Sequence, residues 1–342
     1  MKITFPSRIR ALSATSVLAA AAVTSVVSIA SIMTTAGLAH AQDTWPGHPV
    51  KIIVPSSPGG GTDVFARLLA QQLSEQTKQQ FFIDNRPGAS GTIGAQIAAQ
   101  APKDGYTFLV ASNSSTAINM WFPNNAKNES FDVKRDLTPV SRGVYAVSSL
   151  IVSSDVKANT LNEFIALAKS KPDSMVYGTP GAGSAPQLGV RMMEEIAGLK
   201  FIHAPYKGIG PAYQDAIGGR IQFIFADLAS ALPHVQGGKL RALAVDRKTS
   251  LLPNVPTFTE AGMPKFDSPI AFSVFAPTGV PPALINRMAD EVRKALKTIA
   301  PRLEQNAYVP IYDTPAEFSA SLEKERNMWR DFIARNKITS EQ

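Results

Sequence analysis

A short β-branched run meets a glycine cluster that opens directly into a helix-spaced apolar series. This unit constrains the fold of the chain more than any other feature. Val50-Lys51-Ile52-Ile53-Val54 reads as a strand and Pro58-Gly59-Gly60-Gly61-Thr62-Asp63 as its turn. Val64, Phe65, Leu68, Leu69 and Leu73 then recur at helical spacing. Phe81-Phe82-Ile83 and Thr107-Phe108-Leu109-Val110 are further strands, separated by a small-residue helix over Ile93–Ala101 that Pro102 stops. Strands alternating with helices predict parallel βαβ units and an α/β fold.

The same logic recurs downstream. Leu161–Ser170 predicts a helix, Met175-Val176-Tyr177 a strand, and Gly178–Pro186 a second Gly-rich turn before a helix with Leu188, Met192 and Ile196 on one face. Ile221–Phe225 is a strand ending at Asp227, and Leu240–Val245 is another. Two long amphipathic helices, Ala283–Ile299 and Pro315–Asn336, close the chain. Extended segments near Val144–Val152 and Ile270–Phe275 bracket the middle block. The expected layout is bilobal, with residues 42–147 and 270–342 in the first lobe, 148–269 in the second, and a two-strand hinge.

Residues 1–41 are of another kind. Lys2, Arg8 and Arg10 precede a small, apolar stretch from Ala11 to Leu38 that ends in Ala39-His40-Ala41. That is the pattern of a signal peptide cleaved near Ala41; the length of the stretch leaves an uncleaved anchor as the alternative. No later run approaches membrane-spanning length, so the remainder is expected to be soluble and periplasmic. It carries 31 basic and 27 acidic residues without a dense Lys/Arg run, which argues against a nucleic-acid partner.

The chain has no Cys, which removes disulfides, thiolate nucleophiles and zinc–thiolate or iron–sulfur sites. Beyond the leader, His48, His203 and His234 are scattered, and G-x-S-x-G is absent. No metal site, cofactor or catalytic residue is therefore nominated. A Ser/His/Asp arrangement assembled in space stays open.

The Gly-rich turns are where chemistry is expected. In an open α/β sheet, ligands sit outside the carboxyl ends of the strands. A helix starting there offers unpaired N–H groups and the positive end of its dipole. Gly59, Gly60, Gly61 and Thr62 thus read as one anion cradle, and Thr179, Gly181, Ala182 and Ser184 as a second facing it. The alternative is a pair of ordinary βα turns in which Thr62 or Asp63, and Ser184, cap the helices. Neither turn holds Lys or Arg, and both the Walker pattern and G-x-G-x-x-G are absent. A small carboxylate is favoured over a nucleotide. Asp63 reads as a dipole partner, Lys207 as a cationic contact or a solvated turn residue, and Asp227 as a ligand-orienting group or a cap. Ser112, Asn113 and Ser114 end the third strand and face the same predicted cleft.

The stretch Val54-Pro55-Ser56-Ser57-Pro58-Gly59-Gly60-Gly61-Thr62-Asp63 resembles the opening signature of the Bug/TctC extracytoplasmic solute receptors, which serve tripartite tricarboxylate transporters. Asn85-Arg86-Pro87-Gly88-Ala89-Ser90-Gly91, Asp104-Gly105-Tyr106-Thr107, Pro205-Tyr206-Lys207-Gly208 and Leu252-Pro253-Asn254-Val255-Pro256-Thr257 match as well. The resemblance spans Trp45 to about Ile338. It implies a type II-like periplasmic-binding-protein fold, a monomeric receptor rather than an enzyme, and a small carboxylate (di- or tricarboxylate, amino acid or aromatic acid) held between the first loops of the two lobes. Its implied partners are the membrane subunits of the transporter. Two departures bear on the pocket: Ser56 stands where many relatives have an aromatic, and Phe272 where many have Trp. A secreted α/β hydrolase and a ligand-sensing input to a signalling system are the competing readings.

Overall fold

The computed structural model describes residues 45–122 and 131–339; the expected leader lies outside them. From Val50 the chain forms β1 (Val50–Val54), α1 (Gly61–Thr77), β2 (Phe81–Asn85), α2 (Thr92–Ala99) and β3 (Thr107–Ser112). A single helical turn, α3 (Val133–Asp136), leads into the long strand β4 (Leu137–Ala146), and Val147 alone separates it from β5 (Ser148–Ser153). Then come α4 (Leu161–Ser170), β6 (Val176–Thr179), α5 (Ala185–Ala197), β7 (Ile202–Pro205) and α6 (Ile209–Ile217). The middle block ends with β8 (Phe223–Asp227), α7 (Leu228–Gln236) and β9 (Leu240–Val245). The chain returns through β10 (Ile270–Pro277), α8 (Pro282–Thr298), α9 (Ala300–Glu304), β11 (Tyr308–Pro310) and α10 (Pro315–Arg335).

These strands make two sheets, ordered β11-β4-β10-β3-β1-β2 and β7-β6-β8-β5-β9. In each, a first strand lies parallel between the two that follow it: β1 between β2 and β3, and β6 between β7 and β8. An antiparallel strand then separates the third from a fourth, β10 in one sheet and β5 in the other. The two lobes repeat one topology. The expected parallel βαβ units are present in β1–β3 and β6–β8. The sheets are mixed, because β5 and β10 bring the chain in from the other lobe and therefore run against their neighbours. Strand direction leaves no mark on apolar alternation.

Local chemistry accounts for most element ends. Phe65, Leu69 and Leu73 bury one face of α1, which stops at Lys78 in the left-handed region (φ 59°). Ser184 caps α5 through the Gln187 N–H, and Gly198 ends that helix, also left-handed. Thr314 and Glu317 form a reciprocal capping box at the start of α10. Helix α7 has no counterpart in the sequence reading. It carries Pro233 in its interior and starts from Asp227, whose carboxylate accepts from the Ser230 N–H. Among the described residues no helix is long and apolar enough to cross a membrane.

Aromatic packing consolidates both lobes. In the first, Phe65, Phe272 and Tyr308 meet below the start of α1, and the Tyr308 hydroxyl donates to Gly61 O at 2.7 Å. In the second, Phe223 stacks on Tyr177 at 5.5 Å and meets Phe164 and Phe201 edge-on at 5.1 and 4.7 Å. Phe223→Ala should therefore lower stability by about 3–5 kcal/mol. In urea this is read as a lower unfolding midpoint at an unchanged slope.

Candidate functional site

Loops at the carboxyl ends of six strands, three from each lobe, line a single cavity of about 250 Å³. One side is built by the loops after β1, β2 and β3, the other by those after β6, β7 and β8, with Ile270 and Phe272 of β10 completing the wall. Four prolines, Pro55, Pro87, Pro180 and Pro186, make much of that wall apolar. Its charged side chains among the described residues are Lys207 and Asp227, one of each sign.

The first turn of α1 opens onto this space. Gly60 stands at the cap position with no side chain bonding the helix end. Its own N–H folds back to Ser57 O at 3.2 Å, and the Gly59 N–H donates to Asp63 Oδ2 at 2.9 Å. The next three N–H groups, of Gly61, Thr62 and Asp63, begin the helix and so have no acceptor within it. They present the positive end of the α1 dipole. Asp63 braces the turn from behind. Its carboxylate takes Arg67 Nε at 2.9 Å and Asn85 Nδ2 at 2.8 Å, and the same Asn85 amide donates to Ser56 O at 3.0 Å. Burial pushes the Asp63 carboxyl up, but the donors Arg67, Gly59 and Asn85 outweigh it and hold the group below its ordinary value.

The two Gly-rich turns are not equivalent. At α5 the helix end is already served by the protein: Gly183 N–H donates to Gln187 Oε1 at 2.6 Å and Ala185 N–H to Ser114 Oγ at 3.0 Å. The second open helix end comes instead from α6, where Gly208 supplies no side-chain cap. A β-carbon placed on Gly60 would lie 3.7 Å from Ile209 Cγ2, so the start of α6 stands against the turn that opens α1.

Three hydrogen bonds clasp the lobes across the cavity. Ser57 Oγ donates to Lys207 O at 3.3 Å, Ser90 Oγ donates to Ala182 O at 2.5 Å, and Ser114 Oγ accepts from Ala185 N. Ser90 reaches its partner from a strained loop. Gly88, Ala89, Ser90 and Gly91 all have positive φ, of 131°, 46°, 50° and 96°. For Ala89 and Ser90 such a conformation costs on the order of 1–3 kcal/mol each, offset in part by the Asn119 amide, which donates to both their carbonyls.

Asp227 marks another close approach of the lobes. Its carboxyl lies so near Gly61 that a β-carbon there would fall 2.3–2.5 Å from the carboxyl atoms. Burial pushes this carboxyl above its ordinary value, against the bonds it accepts from Ser230.

The description of a tripartite tricarboxylate transporter family receptor, TctC, matches residues 65–335. The chain belongs to the TctC family. BugT of Bordetella pertussis is 32% identical over 309 residues, covering 88% of this chain and 94% of its own. A solved structure described as a periplasmic transporter is 33% identical, covers 86% of this chain and 99% of its own, and superposes with a TM-score of 0.82. The R. palustris protein Rpa4515, solved with adipate, is 30% identical with the same coverage and TM-score. The Bug/TctC resemblance read from the motifs is thereby shown, as is the two-lobe α/β architecture of periplasmic binding proteins.

Within this TctC fold, Gly60, Gly61, Thr62, Ser112, Gly181, Ala182, Ser184, Lys207 and Asp227 line the cavity. Gly59, Asp63, Asn113 and Thr179 do not. Gly59 and Asp63 satisfy each other behind the turn. Asn113 Nδ2 donates to Pro269 O at 2.9 Å and Glu325 Oε1 at 2.7 Å, and Thr179 Oγ1 bonds His203 Nε2 at 2.7 Å. The sequence reading passed over Ser90, Tyr206 and Ile209 as site residues; Ser56, which it singled out as bearing on the pocket, lines the cavity. The Pro87-Gly88-Ala89-Ser90-Gly91 turn was visible as a motif, but its partner across the cleft is a backbone carbonyl, which no residue type announces.

Gly61→Ala should oppose this close approach. Fitting the extra methyl against Asp227 costs about 1–3 kcal/mol, and separating the lobes relieves it. Small-angle X-ray scattering should show a larger radius of gyration than the parent, with far-UV circular dichroism unchanged. An unchanged radius would mean that Gly61 and Asp227 do not meet in solution.

Proposed function

We propose that this chain is an extracytoplasmic receptor that closes over a small organic acid and hands it to the membrane subunits of a tripartite tricarboxylate transporter. The observation that carries this reading is the uncapped first turn of α1, opening into a largely apolar cavity between two lobes. The ligand's carboxylate accepts from the N–H groups of Gly61 and Thr62, and the start of α6 with Lys207 closes on it from the second lobe. Hydrogen bonds to a charged group contribute about 1.5–3 kcal/mol each. A few of them reach micromolar affinity, about −8 kcal/mol, after ordering costs.

In this reading the leader, residues 1–41, exports the protein to the periplasm, where it works as a monomer without cofactor. The lobes comprise residues 42–147 with 270–342, and 148–269, hinged at the two connecting strands. Gly181, Ala182 and Ser184 shape the second-lobe wall rather than serving as the main anion donors. The adipate found with the R. palustris relative supports an acid with an apolar body, which suits walls made of proline, Ile209 and Phe272. Closure follows from differential contact, because only the closed form brings both lobes to the ligand.

A thermal-shift panel of adipate, citrate, glutamate and benzoate tests the class. An acid at about 100 times its Kd adds about 2.7 kcal/mol, a rise of several degrees. No shift with any acid would refute the reading.

Asp227 adds a pH dependence of definite sign. Its carboxyl is buried against Gly61 in the closed form and returns toward water when the lobes part. The closed form therefore holds the proton more tightly than the open one. Acidification toward its raised pKa should strengthen acid binding, since a protonated Asp227 no longer repels the ligand. Asp227→Asn should flatten that profile and bind more tightly than the parent at neutral pH. Isothermal titration from pH 5 to 8, taken as the ratio of the two proteins, cancels the ligand's own titration. Parallel profiles would show that Asp227 does not sense the bound acid.

A further inference from the structure

The cavity wall holds one buried polar atom that the protein itself leaves unused. Of the hydroxyls there other than Thr62 and Ser112, those of Ser57, Ser90 and Ser114 clasp the lobes, Ser184 caps α5, and Tyr206 donates to Asp215 at 2.7 Å. Ser56 Oγ, by contrast, is buried with no hydrogen-bond partner among the described residues. Its position is held, because the Asn85 amide fixes the Ser56 carbonyl. A β-carbon on Gly60 would lie 3.9 Å from this hydroxyl and 3.7 Å from Ile209 Cγ2. The atom thus sits beside the place where the open ends of α1 and α6 face each other. A buried hydroxyl left without a partner is a standing cost.

We infer that Ser56, which lines the cavity, contacts the ligand directly, its side chain turning so that Oγ–H donates to one oxygen of the carboxylate that lies between the starts of α1 and α6. The helix N–H groups take the other oxygen. Ser56 then makes the site selective for a free carboxylate over its ester, because an ester offers this donor a weaker, uncharged acceptor. The inference rests on the acid-receptor reading above and names a residue that this reading does not need.

The test is isothermal titration of the parent, Ser56→Ala and Ser56→Cys with the tightest acid of the panel and with that acid's methyl ester. Cysteine keeps the approximate volume but is a weak donor. Both variants should lose about tenfold or more in affinity for the acid, equivalent to about 1.4 kcal/mol per tenfold, and should bind the ester as the parent does. The ligand-free melting temperature of Ser56→Ala should not fall, since no internal hydrogen bond is lost; a purely structural serine would lower it. Unchanged acid affinity in Ser56→Ala would overturn the inference while leaving the receptor reading intact. So would full affinity in Ser56→Cys, which would assign the effect to volume. If no acid binds the parent, the receptor reading fails and takes this inference with it.

Discussion

The structure depends on a helix that begins without a cap. The first N–H groups of any α-helix lack internal acceptors, and a Ser, Thr or Asp at the cap usually supplies one. At α1 that position is Gly60, and the carboxylate of the helix's own first turn, Asp63, is turned backward to serve Gly59. The donors of Gly61 and Thr62, both in the cavity wall, are therefore left without a capping side chain. Much of the surrounding structure keeps them aimed. Arg67, Asp63 and Asn85 brace the turn, and the Tyr308 hydroxyl takes the Gly61 carbonyl from below.

The opposite lobe answers this open end with mixed chemistry. Lys207 brings the one cationic side chain lining the cavity among the described residues, and Asp227 brings the one acid, set against Gly61. A carboxylate next to a positive helix end is locally favourable, yet burial makes its charge costly and pushes the group toward its neutral form. The same side chain caps α7 through Ser230. One residue thus ties the second lobe's framework to the surface that meets the first.

Glycine at the lobe contact is a matter of space as much as of conformation. At Gly61 a side chain would overlap Asp227, and at Gly181 it would approach Ser90 Oγ to 2.6 Å. The Gly-rich turns read from sequence as two matched anion cradles, but only one is open. Ser184, Gln187 and Ser114 have already satisfied the second, and the helix that starts without a side-chain cap in that lobe is α6. Spacing alone could not separate these cases, since a capped and an uncapped turn share glycine, hydroxyl and helix start.

The sequence by itself determined the local elements: β-branched runs make strands, and Phe65, Leu69 and Leu73 make a one-sided helix. These follow from interactions within a few residues of one another, which composition and period record. It also carried the family's ordered motifs, and with them the two-lobe class. Tertiary structure alone decided the antiparallel courses of β5 and β10, the meeting of Gly61 with Asp227, the Ser90 clasp and the isolation of the Ser56 hydroxyl. Each joins groups that are distant along the chain or depends on a backbone carbonyl, and neither distance in space nor a carbonyl's direction is written in residue identity.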